Sequence, residues 1–209
     1  MKFVRPDWTM VINGSWNVGI FTPPWVAANA YQLDQIGMEM ELGTNSPVLR
    51  YNGALTQLIV RTDRLLAGAR AESAEAVADM TNVLGRVLDT LSHTPVTGVG
   101  INFGFREEAP ENDLTMNFTI ADNDQLIDLG GVTRRTAIVR NLTLDGGLLR
   151  LKEELEEDGN VHFHLNFHFD VSSAAEAADV LRNNAEAKRL RALELMNTVY
   201  GLEPEVENA

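Results

Sequence analysis

Residues 161–171 alternate Val161, Phe163, Leu165, Phe167 and Phe169 with His162, His164, Asn166, His168 and Asp170. A period of two sends the first set to one side of a sheet and the second to the other. Three of the chain's four histidines therefore share one strand face. Just upstream, Asp158-Gly159 marks a turn. A two-residue loop there would set Leu155 opposite His162 and mix the faces. A three-residue loop of Glu157, Asp158 and Gly159, with glycine in the left-handed position, instead sets Leu155 opposite Val161, Leu151 opposite Leu165 and Leu149 opposite Phe167. The polar side then pairs Glu154 with His162, Lys152 with His164 and Arg150 with Asn166.

Two imidazoles from a His-x-His strand and a facing carboxylate are donors suited to a divalent transition metal. The candidate ligands are His162, His164 and Glu154, with His168 as a further one. Against this, Lys152 in the same row would repel a cation, and glutamate opposite histidine is also the ordinary composition of a solvated sheet face. The primary expectation is no cofactor; a bound divalent metal, as a metal-binding protein or metal-dependent enzyme, is the alternative.

Other chemistry finds little support. The chain has no cysteine, which excludes disulfides, thiolate nucleophiles and cysteine metal clusters. It contains no Gly-rich phosphate loop, no His-Glu-x-x-His pair and no Gly-x-Ser-x-Gly elbow. The acidic run of Glu153, Glu154, Glu156, Glu157 and Asp158 lacks the spacing of a calcium loop and reads as a solvated hairpin tip. His93, near the end of a helical segment, suits the negative end of the helix dipole.

The elements that must position these residues are legible from periodicity. Strand patterns cover about 36–42, 57–61, 65–69, 96–106, 114–121, 135–144, 148–156 and 161–171. Asn13-Gly14, between two β-prone runs, predicts a type I′ hairpin with Val11 opposite Trp16 and Thr9 opposite Val18, and makes Trp16 a core anchor. Thr22-Pro23-Pro24 predicts a short helix to about Tyr31. Ser73 caps a helix whose apolar stripe runs through Val77, Met80, Leu84, Val87, Leu88 and Leu91. Ser173, with Glu176 three residues on, forms a capping box for a helix to about Tyr200. Lys188 interrupts that helix's apolar stripe, which predicts either a snorkelling lysine or a bend near Asn183-Asn184, and Leu190 lies on the far side, where it could touch another subunit.

One-sided alternation indicates an antiparallel rather than a parallel sheet. The fold expected is α+β: an extended, mainly antiparallel sheet with two long helices covering one face, in a single domain over 1–209. A second reading divides the chain into two pseudo-repeated lobes, 1–95 and 96–209, because residues 73–79 resemble 173–179.

A formal charge of −13, from 30 acidic and 17 basic residues, opposes attraction to phosphate backbones and anionic lipid. The N-terminal residues carry no signal peptide or membrane helix pattern, and with the missing cysteine this suggests a cytoplasmic protein. The functional expectation is a noncatalytic interaction or assembly protein, with a protein partner or self-association into a homo-oligomer. The metal-dependent reading is one alternative. A small-ligand domain, with Trp8, Trp16 or Trp25 lining a cavity, is the other.

Overall fold

The computed structural model describes residues 1–42, 47–108, 113–120, 122–145 and 147–205. Among them, ten strands form one antiparallel sheet: β1 (Lys2–Phe3), β2 (Thr9–Gly14), β3 (Met38–Leu42), β4 (Pro47–Asn52), β5 (Thr56–Val60), β6 (Arg64–Ala69), β7 (Val96–Glu107), β8 (Arg135–Leu144), β9 (Gly147–Glu156) and β10 (Val161–Asp170). The order is β3-β4-β5-β6-β2-β7-β10-β9-β8, with β1 also paired to β7. The helices are α1 (Pro23–Val26), continued by a π-helical turn over Ala27–Tyr31, then α2 (Ala74–Thr90), α3 (Asn123–Asp128) and α4 (Ala174–Tyr200). The α+β class, the antiparallel sheet and the two long helices are as the sequence indicates. None of the described helices is long and apolar enough to cross a membrane.

Alternation builds the core. Phe103 and Phe105 on β7 and Phe163, Leu165 and Phe167 on β10 are buried on the face that α2 and α4 cover. Burying each such side chain contributes roughly 1.5–3 kcal/mol. The α4 stripe is mostly alanine (Ala174, Ala177, Ala178, Ala185 and Ala192, all buried), which lets the helix lie close to the sheet. Both serine caps form: Ser73 Oγ accepts from the Ala76 N–H at 3.2 Å and Ser173 Oγ from the Glu176 N–H at 3.1 Å. The Glu176 carboxylate closes the box one residue further upstream than expected, accepting from the Ser172 N–H at 2.8 Å.

Lys188 does not snorkel out, and α4 runs through it without interruption from Ala174 to Tyr200. The lysine is 4% exposed. Its Nζ lies 3.3 Å from Asp145 Oδ2 and above the rings of Phe167 and Phe169. A buried ammonium is tolerable because the carboxylate and the two π-faces replace part of its hydration.

Three local expectations are corrected. Asn13-Gly14 is not a hairpin turn: β2 ends there, paired to β6 and β7, and Gly14 is not in the left-handed region that a type I′ turn requires. Glycine is needed because a Cβ would stand 2.5 Å from the Pro95 carbonyl oxygen; Trp16 is nevertheless buried. Residues 114–120 are not a strand. Asp113–Phe118 is a 3₁₀ turn that buries Leu114 and Phe118 and exposes Met116, since both sides of β7 are already occupied by β1, β2 and β10; Ala121 lies outside the described residues. The strand at 38–42 does not bury a face, because it is an edge on which Met40 and Leu42 overhang the helix layer. A further strand, β4, starts at Pro47.

Outward from the β2–β7 junction, the sheet reads β2-β6-β5-β4 on one side and β7-β10-β9-β8 on the other. This matching order does not establish a repeat, because among the described residues β3 has no counterpart beyond β8.

Candidate functional site

The register of β10 on β9 is the one the three-residue loop requires: Leu155 faces Val161, Glu154 faces His162, Lys152 faces His164 and Arg150 faces Asn166. Gly159 adopts φ 82°, the left-handed conformation that makes glycine the suitable residue. On its other side β10 pairs with β7, which places Gly104 beside His164 and Asn102 beside Asn166.

Gly104 admits a residue from outside the hairpin. The 3₁₀ turn Arg5–Asp7 is tied down by the Val4 N–H, 2.9 Å from the Gly104 carbonyl, and by the Trp8 indole N–H, 3.2 Å from the same oxygen. Asp7 thereby lies over Gly104, and a Cβ on the glycine would come 2.6 Å from Asp7 Oδ2. His164 is held between two carboxylates, with Nδ1 3.1 Å from Asp7 Oδ2 and Nε2 3.3 Å from Glu154 Oε2. A protonated ring donates to both; a neutral ring donates to one and turns a lone pair toward the other.

Glu154 is itself a shared acceptor. Lys152 Nζ is 2.7 Å from Oε2, and Arg135 of β8 pairs with Oε1. Burial works against its ionisation, but the hydrogen bonds from Lys152 and Arg135 outweigh burial and hold its pKa below the ordinary glutamate value. His162 stacks on His164, ring centroids 6.2 Å apart, and faces Glu156 with Nε2 3.4 Å from Oε2. His168 stands apart, 3.2 Å from Asp170, beyond an amide ladder in which Asn166 bonds Asn102 and Asn102 donates to Thr9 Oγ1 at 3.0 Å. A cavity of about 290 Å³ opens here, lined by Pro6, Asp7, Thr9, Asn102, His164 and Asn166.

The structure thus brings His162, His164 and Glu154 together and leaves His168 out. It does not aim them at one point, because the two His164 nitrogens face different carboxylates. Among the described residues no three His, Asp or Glu side chains are placed to hold one metal ion. Sequence reasoning missed Asp7 and Arg135. The signal for Asp7 was Gly104, a glycine inside a strand, which marks close approach. The acidic tip is less solvated than expected: Glu153 is buried against Arg140 and Glu154 against Arg135. Two of the tryptophans are core residues, Trp8, which packs edge-on to Phe3 and Phe103, and Trp16, while Trp25 is half-buried and leans on Phe21. His93 is exposed beyond the end of α2.

A second surface was not foreseen. β8 is the last strand of the sheet, and among the described residues nothing pairs with its outer edge. Val139 and Leu142 on the strand are exposed, as are Leu126 and Ile127 of α3, while Leu129 and Val132 between α3 and β8 are 86% and 75% exposed. The segment 126–142 is therefore bordered by large apolar side chains in water.

No family model matches the chain, and no curated protein matches it in sequence.

Proposed function

We propose that this chain is a noncatalytic interaction or assembly protein that engages another protein chain along the β8 margin of its sheet. The observation that carries the reading is the exposed apolar series Leu126, Ile127, Leu129, Val132, Val139 and Leu142 beside a strand edge that nothing pairs among the described residues. An open edge supplies a row of backbone donors and acceptors, and apolar flanks supply the driving force; together they are the usual ingredients of strand-mediated association. The polar cluster supports the same reading by contrast, because its histidines and carboxylates are engaged with one another. The formal charge of −13 favours a protein over a nucleic-acid partner. A cytoplasmic location belongs to this proposal, supported by the cysteine-free composition.

The test compares the parent chain with Leu129→Glu/Val132→Glu by light scattering over a concentration series and by capture of partners from a lysate. Association in the parent and its loss in the variant, with unchanged circular dichroism, is the expected result. A parent that stays monomeric at high micromolar concentration and captures nothing would contradict the proposal.

A further inference from the structure

Among the described residues the outer edge of β8 is weakly guarded against pairing, although the Asp113–Phe118 turn comes near the strand. Between Gly131 and Leu151 there is no proline and no lysine, and the strand makes an unbroken ten-pair ladder with β9. Its arginines do not guard the edge. Arg135 pairs with Glu154 and Arg140 with Glu153, both on the neighbouring strand, and Arg134 lies 3.5 Å from Glu157.

Charge points to who can approach. A chain with 13 excess negative charges repels its own copies over most of its surface. The β8–β9 hairpin is the exception: residues 134–160 carry five basic and six acidic side chains. Two copies meeting there bring almost no net charge together.

Strand parity then restricts the geometry. Even-numbered β8 residues share the helix-covered face with Leu149 and Leu151, and odd-numbered ones lie on the other face. Cross-strand partners point to the same side, so an antiparallel pairing of β8 with itself must place a residue, not a gap between residues, on the two-fold axis. Centring on Arg140 would set that arginine against its own copy. Centring on Val139 pairs Arg134 with Leu144, Arg135 with Thr143, Thr136 with Leu142, Ala137 with Asn141 and Ile138 with Arg140. No arginine then opposes an arginine, and every residue of 134–144 has a partner.

We infer that the chain on the β8 edge is a second copy of this one, paired antiparallel through residues 134–144 with Val139 on the two-fold axis. This rests on the interaction reading above and names its partner. The interface is isologous and closed, so it joins two sheets into one without leaving β8 open to further growth.

The absence of cysteine gives a clean test. On the axis the two Val139 Cα atoms stand about 4.5–5.5 Å apart, within the roughly 4.4–6.8 Å that a disulfide spans. Two Ala137 residues are offset by four positions, roughly 13 Å along the strands. Under mild oxidation Val139→Cys should cross-link about tenfold faster than Ala137→Cys, and Ala137→Cys/Asn141→Cys should cross-link as Val139→Cys does, while the unmodified chain has twice its 23.1 kDa mass in light scattering. A dimeric mass with equal rates for Val139→Cys and Ala137→Cys overturns this interface and leaves the broader interaction reading standing. A monomeric mass at every concentration overturns the inference, and lysate capture then decides the broader reading.

Discussion

Asp7 and His164 lie 157 positions apart in the chain, yet Asp7 Oδ2 is 3.1 Å from His164 Nδ1. The contact exists because Gly104 lies beneath Asp7 and offers no side chain to hold it off. Gly104→Ala should therefore push the Arg5–Asp7 turn away from the sheet and lower stability by about 1–3 kcal/mol, the usual cost of overpacking. Gly37→Ala, where a Cβ would meet nothing within 4 Å, should be neutral or slightly stabilising. Urea midpoints of the two variants check the contrast.

Glu154 adds a pH dependence of known sign. Its folded-state pKa lies below the ordinary 4.5, because the Lys152 and Arg135 hydrogen bonds outweigh the burial that opposes them. The stability it contributes is fully present above about 4.5 and is lost as pH falls through the depressed folded value. Glu154→Gln should flatten the acid limb of the stability–pH curve while changing its neutral slope little. Denaturant midpoints from pH 2 to 7 (roughly the window set by carboxylate titration) measure it.

Lys188 and Asp145 form a pair in which only the lysine is deeply buried. Asp145→Asn keeps a residue that accepts the left-handed φ of 49° at this position but leaves the ammonium without its carboxylate, and should cost about 1–3 kcal/mol. Lys188→Met keeps the volume and removes the charge, so it should be near neutral, and the double variant should recover most of the loss. Thermal or urea unfolding of this double-mutant cycle gives the coupling.

The His162–His164 pair should not take up metal stoichiometrically. Binding one ion there would require His164 to give up Asp7 or Glu154 and the ion to approach Lys152. Zinc titration of untagged protein is expected to give the same weak response in the parent and in His162→Ala/His164→Ala. A one-to-one site present only in the parent would contradict this.

The second half of the sheet was legible because parity and turn chemistry agree. Gly159 at a left-handed position fixes the loop length, and the loop length fixes which side every residue of β9 and β10 faces. The N-terminal part was less legible, since Gly14 is required by the nearby Pro95 carbonyl and not by a turn, a long-range reason that local sequence cannot show. The same holds for residues 114–120, whose alternation suits a strand but whose would-be neighbours on β7 are already taken. Of the polar cluster, the hairpin's share was readable from the sequence. Asp7 and Arg135 arrive from other strands and turns, and only the tertiary fold brings them in.

The claim that the β8 edge is covered by another chain is tested most directly by amide hydrogen exchange of residues 135–144 at low and high protein concentration. Outward-facing amides of an uncovered edge exchange freely. Slower exchange at high concentration, confined to β8 and the apolar segment leading into it, is the expected result; exchange in β8 that is equally fast at both concentrations would contradict the account.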